Sequence, residues 1–299
     1  GTIVADAIRS AFGNARRLNY NEGFAKRKAF AEESHQITMM LPLSTIFGFC
    51  RDYDKVFRGI KHTLILDRAD QNDCIIRADG VAAGQFAITR LALSMPRVVP
   101  SIQKTMELES LLTNWTKKIH FQQNRIYQTA IPNATDYTWR VTTTPSEQTP
   151  RQVFVVFQRQ ARRNNQEMNN SVFDNPDVRR IFVRVNSRQY PERAIECNFA
   201  VDATRNISRP YMYLMEAMQK YQDADSGSQI SIEEFRSHYP IFYFDISKHS
   251  ERVIGSNADI EVTWTLGAVP AEQYNAYALV VSDRFLTIDA PDVRMTVQV

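Results

Sequence analysis

The feature that most constrains this fold is a succession of short strand-like segments, each bounded by turn residues. Within residues 179–186, the apolar side chains of Ile181, Val183 and Val185 alternate with other side chains, as in a strand with two different faces. Residues 152–158 are apolar at every internal position, which favours a strand in the centre of its sheet. We predict about ten strands in all, at 37–43, 60–68, 84–94, 117–128, 137–143, 152–158, 179–186, 241–247, 258–266 and 274–288.

Residues 39–68 read as the corner of a β-sandwich, where one strand leaves a sheet and the next returns to the facing sheet. The segment has an apolar residue on each side of Pro42, near its start, and a cluster of mostly apolar residues follows at 46–50. Charged residues at 51–55 form the corner itself, and 62–66 is suited to a buried strand.

The strand pattern restarts after Ile131-Pro132-Asn133, which predicts a boundary between two domains. A chain of 299 residues can form about two domains of ordinary size, each with its own core. Helices are predicted only in connections, at 102–112, at 210–221 and after a capping box formed by Ser231 and Glu234. We predict an all-β protein of the sandwich type, divided into an N-terminal helical and loop segment (1–35, with a helix at 5–17), a first sandwich (36–131) and a second sandwich (132–299).

Composition excludes several classes of protein. The net charge of +3 gives no reason to expect strong nucleic-acid binding. No apolar run approaches the roughly 18–20 residues that span a bilayer, and the first 22 residues lack the apolar core of a signal peptide. Cys50, Cys74 and Cys197 lie far apart, so we expect free and mostly buried thiols in a reducing compartment.

The stretch from Asp223 to Glu234 partly matches a calcium-binding loop. Asp223, Asp225 and Glu234 stand at ligand positions 1, 3 and 12. Position 5 is Gly227, which offers no side-chain oxygen, and position 6 is Ser228 in place of the glycine that the turn requires. We therefore expect a surface turn followed by a helix that Ser231 caps, and no metal site.

The sequence shows no recognisable set of catalytic residues. The five histidines, at positions 35, 62, 120, 238 and 249, show no spacing typical of zinc ligands. Asp245, Ser247 and His249 are close in sequence, but no nucleophile elbow accompanies them. Phosphate-binding glycine motifs are also absent. We assign no catalytic, cofactor-binding or metal-ligating residue, and we expect no enzyme activity and no cofactor.

Arginines are densest at positions 159–188. The simplest interpretation is a set of solvated loop and strand-face side chains. Pairing across a subunit interface is the next alternative, and contact with packaged nucleic acid is the least favoured. These arginines are Arg159, Arg162, Arg163, Arg179, Arg180, Arg184 and Arg188.

Four segments, in this order, resemble the double jelly-roll major capsid proteins of double-stranded DNA viruses. They are LPLSTIFGFCRDYDKVFRGIKHTLIL (41–66), PRQVFVVFQ (150–158), RRIFVRVNSRQYPE (179–192), and YPIFYFDISKHSERVIGSNADIEVTW (239–264) with AYALVVSDRFLTI (276–288). The likeness spans about residues 36–289 and is greatest to the Polinton/Maverick and adintovirus types and to related sequences in insect genomes. In this family, more strands precede the segment that resembles 41–66, so the first jelly roll is expected to be incomplete at its N-terminus.

The resemblance implies two jelly rolls side by side and a structural role. Three chains would form a pseudo-hexameric capsomer of an icosahedral shell, assembled in the cytoplasm or nucleus of a host cell. The expected partners are the other two chains of a homotrimer, neighbouring capsomers, and a penton or minor capsid protein, with weak or no direct contact with nucleic acid.

One alternative stays open from the residues alone. A β-sandwich module that binds carbohydrate or protein would line a groove with aromatic side chains, and the candidates for such a groove are Trp115, Trp139 and Trp264.

Overall fold

The computed structural model describes residues 26, 29–30, 33, 35–53, 63–77, 80–112, 116–142, 150–202, 204–218, 230–247, 259–289 and 294–298. Nine strands lie within these ranges: β1 (Thr116–Ala130), β2 (Asp136–Thr142), β3 (Pro150–Arg159), β4 (Val178–Val185), β5 (Arg188–Glu196), β6 (Phe242–Asp245), β7 (Asp259–Leu266), β8 (Tyr274–Asp289) and β9 (Arg294–Gln298). Five short α-helices have described bounds: α1 (Gly48–Asp52), α2 (Gln71–Cys74), α3 (Ile102–Leu112), α4 (Ser208–Ala217) and α5 (Ile232–Ser237). Residues 26, 29–30 and 33 are also helical. Single 3-10 turns occur at Leu43–Thr45 and Gln160–Arg162.

The first eight strands pair in a nested antiparallel order, the first with the eighth. β1 pairs with β8, β2 with β7, β3 with β6 and β4 with β5. The strand order is β1-β8-β3-β6 in sheet A and β2-β7-β4-β5 in sheet B. Eight strands in two sheets with this nested pairing form a complete jelly roll. β9 extends sheet A by pairing with β8 at residues 285–289, beyond the end of β3.

The core lies between the two sheets, and aromatic rings join them. Val153, Val155 and Phe157 of β3 are fully buried. The Phe157 ring lies 5.4 Å from that of Trp264 in sheet B and 6.1 Å from that of Phe242 in sheet A, in edge-to-face geometry. Such ring pairs add to the free energy that comes from burying their area.

The connecting helices close one end of this core. α4 buries Leu214 and Met215, as its amphipathic spacing predicts, although it begins two residues earlier than expected. α5 opens with the predicted capping box, in which the Ser231 side chain accepts from the Glu234 amide and the Glu234 carboxylate accepts from the Ser231 amide. α3 has the predicted bounds, 102–112.

Two strands were not predicted, and both depend on tertiary context. β5 contains Pro191 and alternates weakly, but it is the edge strand of sheet B, where a proline is tolerated. The β4–β5 turn consists of Asn186 and Ser187, both with positive φ, as in two-residue hairpin turns. β9 is only five residues long, so its pattern is too short to recognise.

Three strand predictions are wrong for the described residues. Residues 36–42, 63–70 and 82–100 carry neither helix nor strand, and 60–62 lie outside the described residues. The side chains of Met39, Ile65 and Leu91 are 85%, 75% and 75% exposed. A strand-like pattern becomes a strand only where a neighbour completes the ladder, and the described residues supply no neighbour here.

The division into sandwiches at 36–131 and 132–299 stays a prediction. β1, on the N-terminal side of that boundary, pairs with β8 from Thr116 to Ala130. The helix predicted at 5–17 lies outside the described residues.

The fold predicts that truncating a side chain at the centre of the core strongly lowers the free energy of unfolding. We expect Phe157→Ala to lower the free energy of unfolding by about 3–5 kcal/mol, because a ring that touches both sheets is lost and a cavity remains. Urea denaturation followed by tryptophan fluorescence measures this. The matched control is Ile126→Ala, at a side chain that is 71% exposed, with an expected change within about 0.5 kcal/mol. Equal effects of the two variants would contradict this assignment of the core.

Candidate assembly surface

Sheet A is apolar on its outer face as well as on its inner face. Between the buried residues Val153, Val155 and Phe157, the side chains of Phe154 and Val156 point away from the core and are half-buried. Strand residues alternate between the two faces of a sheet, so an apolar run such as 152–158 must present apolar groups outward. The sequence predicted a central strand here, and β3 does lie between β8 and β6.

The outward apolar side chains line up across all four strands. Ile126 lies opposite Leu279, Leu279 opposite Phe154, and Phe154 opposite Tyr243. The Phe154 and Tyr243 rings are 5.0 Å apart. We call this surface the outer apolar face; it comprises Ile126, Phe154, Val156, Tyr243, Tyr277, Leu279 and Val281.

The rim of the outer apolar face is polar, and its centre carries no charge. Arg151 and Asp283 form an ion pair of 2.6 Å at one edge. Burial raises the pKa of Tyr243 to about 12, and the charges of Asp245 and Glu216 act in the same direction. The Tyr243 hydroxyl is therefore neutral at physiological pH.

Sheet B has the opposite character on its outer face. The Thr138 and Thr263 hydroxyls share a hydrogen bond of 3.0 Å, and Arg140 pairs with Asp259 at 2.7 Å. The outward Phe182 is flanked by the guanidinium groups of Arg180 and Arg184, whose carbons lie 5.5 and 5.0 Å from its ring centre. The outer face of sheet B is therefore polar, whereas that of sheet A is apolar. Within the apolar face of sheet A, Tyr243 and Val281 are buried and Ile126 is exposed.

α1 attaches the N-terminal part of the chain to the edge of sheet A. The Gln122 amide donates to the Asp52 carboxylate at 2.9 Å, and the Arg51 guanidinium donates to the Gln122 side chain at 2.7 Å. The Phe49 ring packs edge-on against Phe121 with centroids 5.4 Å apart. A Cβ at Gly48 would stand 1.8 Å from the Gln122 carbonyl oxygen, so only glycine allows this close approach.

A second attachment joins residues 72–84 to the loop after β3. The buried Gln166 amide donates to the Gly84 carbonyl at 2.9 Å and accepts from the Gly84 amide at 2.8 Å, as a neighbouring strand would. The Asn164 and Asn170 nitrogens donate to the Asp73 carboxylate at 2.6 and 2.7 Å. The reciprocal bonds between Gln166 and Gly84 satisfy the buried Gln166 amide and make this attachment specific.

The same N-terminal part exposes most of its apolar side chains. Residues 80–100, which we call the exposed segment, include only Arg90 and Arg97 as charged residues. Its exposed large apolar side chains are those of Val81, Phe86, Ile88, Leu91, Leu93, Met95, Val98 and Val99.

Three arginines of the predicted arginine-rich zone, Arg159, Arg162 and Arg179, form ion pairs with carboxylates. Arg162 holds Asp174 through two hydrogen bonds of 2.6 and 2.7 Å, and Arg159 adds bonds from its amide and its side chain. Burial alone would raise the pKa of Asp174, but the hydrogen bonds from both arginines outweigh burial and leave this pKa below its usual value. Arg179 pairs with Asp177 at 3.0 Å, and Arg188 lies over the Tyr190 ring. Arg163 is exposed, as the simplest interpretation predicts.

The other predicted candidates do not converge on a site. Trp139 and Trp264 are buried in the core, and Trp115 lies outside the described residues, so no groove lined by these tryptophans is seen. Of the calcium-loop candidates, only Glu234 is described, and its carboxylate caps α5. Within the described ranges, no cluster of His, Cys, Asp and Glu could hold a metal ion. His62 and His249 lie outside those ranges.

All three cysteines are free, as predicted, but only one is buried. Cys50 and Cys74 are exposed on α1 and α2, so the expectation of mostly buried thiols is wrong for this pair. Burial raises the pKa of the Cys197 thiol to about 12, and the thiol donates to the Val178 carbonyl at 3.2 Å.

None of the described helices has the length and apolar character needed to cross a bilayer.

Comparison with known families identifies the class of fold. A family model described as the double jelly roll-like domain matches residues 13–286. Because the match spans most of the chain, this protein belongs to the double jelly roll-like domain family. Together with the two sheets, this membership confirms the predicted all-β class with short helices in the connections.

The solved structures to which this chain is similar include two viral particles. The quasi-atomic model of the PBCV-1 virus capsid is 8% identical, with a TM-score of 0.37, over 67% of this chain and 55% of that chain. The cryo-EM structure of the Sputnik virophage is 12% identical, with a TM-score of 0.37, over 62% of this chain and 39% of that chain. The chain thus spans about half or less of the length of these structures. No curated protein matches the sequence.

The close approach of Gly48 to β1 predicts that a methyl group added at this position weakens the docking of α1 on sheet A. We expect Gly48→Ala to raise the rate of limited proteolysis between α1 and β1 about tenfold, equivalent to about 1.4 kcal/mol of docking energy. The melting temperature of the jelly roll should change little. Gly80→Asn is the control, because Gly80 has positive φ and open space around its Cβ position. Unchanged proteolysis of Gly48→Ala would show that α1 does not dock as described.

The Asp174 cluster predicts an acid-sensitive contribution to stability. Its pKa is lowered in the folded state, so its stabilising effect is full above the unfolded pKa of about 3.9 and is lost as pH falls through the folded value. We expect Asp174→Asn to cost about 3 kcal/mol at pH 7, because Arg162, whose side chain is only 13% exposed, loses its charged partner. Urea denaturation at pH 7 and pH 3 measures this, and the difference between variant and wild type should shrink at pH 3. Asp202→Asn, at an exposed carboxylate, should change stability little at either pH.

Proposed function

We propose that this protein is a structural subunit of an icosahedral viral shell, a major capsid protein of the Polinton/Maverick or adintovirus type or of a related element in an insect genome. The single observation that carries this proposal is the outer apolar face on a jelly roll of the double jelly roll-like family. A sandwich that acts alone in water keeps its outer faces polar, as sheet B does, because exposed apolar patches favour association.

The chemistry of the described residues supports a role in contact rather than reaction. The groups with clearly lowered carboxylate pKa values are engaged in structural pairs, as Asp174 is with Arg162. The cavity beside Arg159, Glu272 and Gln273 has a volume of about 540 Å³ and is open to solvent. Binding sites for small molecules are usually enclosed, apolar and furnished with a few converging polar groups, which this cavity lacks.

The proposed assembly unit is a homotrimer with a pseudo-hexameric outline, which packs against neighbouring capsomers. A penton or minor capsid protein is a further candidate partner. Direct contact with nucleic acid is weak or absent in this proposal, since the net charge is only +3 and Arg159, Arg162 and Arg179 are paired with carboxylates. The protein would reside in the virion capsid after assembly in the host cytoplasm or nucleus.

Light scattering coupled to size exclusion at neutral pH tests the proposal. At micromolar concentration we expect a species of about 103 kDa, three times the chain mass of 34.4 kDa, or larger assemblies. Negative-stain images of the same fractions should show hexagonal capsomers or shells. A strictly monomeric species across this concentration range would overturn the proposal.

A further inference from the structure

We propose that the exposed segment, residues 80–100, pairs with the exposed segment of a second copy as two antiparallel strands related by a two-fold axis. This inference rests on the proposed function and names one contact of the assembly. A ring of three chains has no two-fold axis between its members, so the contact joins copies that belong to neighbouring capsomers.

The first argument is that the N-terminal part has no core of its own. Among its described residues, from 26 to 112, none is buried, and the first buried residue of the described chain is Ile119. Within the exposed segment, every residue except Gly84 is exposed. An exposed apolar surface of this extent favours association.

The second argument is that no other described surface of a copy is comparably apolar. All but four of the large hydrophobic side chains that are exposed in the described chain lie at or before Met106. The other four are on separate elements and loops: Ile126, Val201, Met212 and Val269. Apart from Ile126, the outer apolar face is largely covered within its own chain. The apolar partner that fits the exposed segment is therefore the same part of another copy.

The third argument is size. The eight large apolar side chains of the exposed segment are between 38% and 79% exposed. Together they present roughly 800 Å² to solvent, which is about the area that each partner buries in a stable interface. Two exposed segments therefore match in area, and their contact needs no third apolar surface.

The fourth argument is that one backbone edge of the exposed segment remains open. The Gly84 amide and carbonyl both bond to Gln166, and the Phe86 carbonyl accepts from Arg68 at 3.2 Å. In an extended chain the backbone groups of alternate residues point to the same edge, so the even-numbered residues face these intrachain contacts. The odd-numbered residues within 85–91 face the other edge, and no hydrogen bond within the described chain reaches their backbone. An extended segment of another chain can add along such an edge.

Charge and proline set the register of the pair. Pro96 cannot donate to a ladder, so the pairing lies before it. A two-fold axis at Ile88 keeps the two Arg90 side chains apart and places each opposite Phe86 of the other copy. A guanidinium can lie over that ring, as Arg68 does within the chain at 4.4 Å. Ile88 then meets its own counterpart in a non-hydrogen-bonded pair, with Cα atoms about 4.5 Å apart.

Disulfide trapping in the full chain tests this contact. In a Cys50→Ser, Cys74→Ser background, with the buried Cys197 kept, we expect Ile88→Cys to form a disulfide-linked dimer on mild oxidation. The reason is that its counterpart lies within the Cα separation of about 4.4–6.8 Å that a disulfide spans.

The matched control is Leu93→Cys, because Ile88 and Leu93 are 55% and 52% exposed. In the proposed register the two copies of Leu93 stand about ten residues, or roughly 33 Å, apart along the pair, so this variant should stay unlinked. A lack of dimer from Ile88→Cys, or equal amounts of dimer from both variants, would overturn the proposal.

Charge insertion measures the same contact without a cross-link. We expect Ile88→Glu to raise at least tenfold the concentration at which trimers associate into larger species, because two carboxylates meet at the axis. Light scattering measures this concentration. Ile88 is exposed within its own chain, so folding should be unchanged, which circular dichroism and thermal melting verify. Thr138→Glu, on the outer face of sheet B, is the control and should leave the association unchanged.

The outcomes separate this inference from the proposed function. If trimers form while Ile88→Cys stays unlinked, the two-fold contact fails and the proposed function stands. If Ile88→Cys becomes linked but no species beyond a dimer forms, the contact stands and the proposed function fails. A protein that is strictly monomeric and unlinked overturns both.

Discussion

The pairing of β1 with β8 is the constraint on which the rest of this structure depends. It joins residues 116–130 to 275–289, so the two ends of the jelly roll lie side by side and the other strand pairs are nested between them along the chain. Because β8 also pairs with β3, both of its edges are hydrogen-bonded to neighbouring strands of sheet A. Closing a loop of this length costs entropy that local contacts do not offset, and the burial of Val280, Phe157 and Trp264 between the sheets supplies the compensating free energy.

The same pairing explains why the outer face of sheet A is apolar. Because β3 and β8 are central strands, their inner side chains fill the core and their outer side chains form a continuous row with those of β1 and β6. In sheet B, cross-strand hydroxyl and ion pairs occupy the corresponding positions. The two sheets of the jelly roll therefore differ in outward chemistry: the outer face of sheet B is polar, and the centre of the outer face of sheet A is apolar.

Much of the fold could be predicted from residue patterns, because alternation and capping are local. The strands at 137–143, 152–158 and 179–186, and the box at Ser231 and Glu234, are found within one or two residues of the predicted positions. The strands expected at 37–43 and 84–94 were not found, because their patterns report β propensity and cannot report whether a ladder partner exists. β5 was not predicted for the opposite reason. Its own alternating pattern is weak and is interrupted by Pro191, but pairing with β4 holds it in the sheet.

The sequence by itself determined the all-β class, the capping box of α5, the bounds of α3, and the central position of the strand at 152–158. These properties depend on side-chain period and on hydrogen bonds between near neighbours. Only the tertiary structure decided that Ile126, Leu279, Phe154 and Tyr243 form one row, that Arg159 and Arg162 share Asp174, and that Gln166 holds Gly84. Those contacts join residues far apart in the chain, and their register is set by strand pairing, which no local pattern encodes.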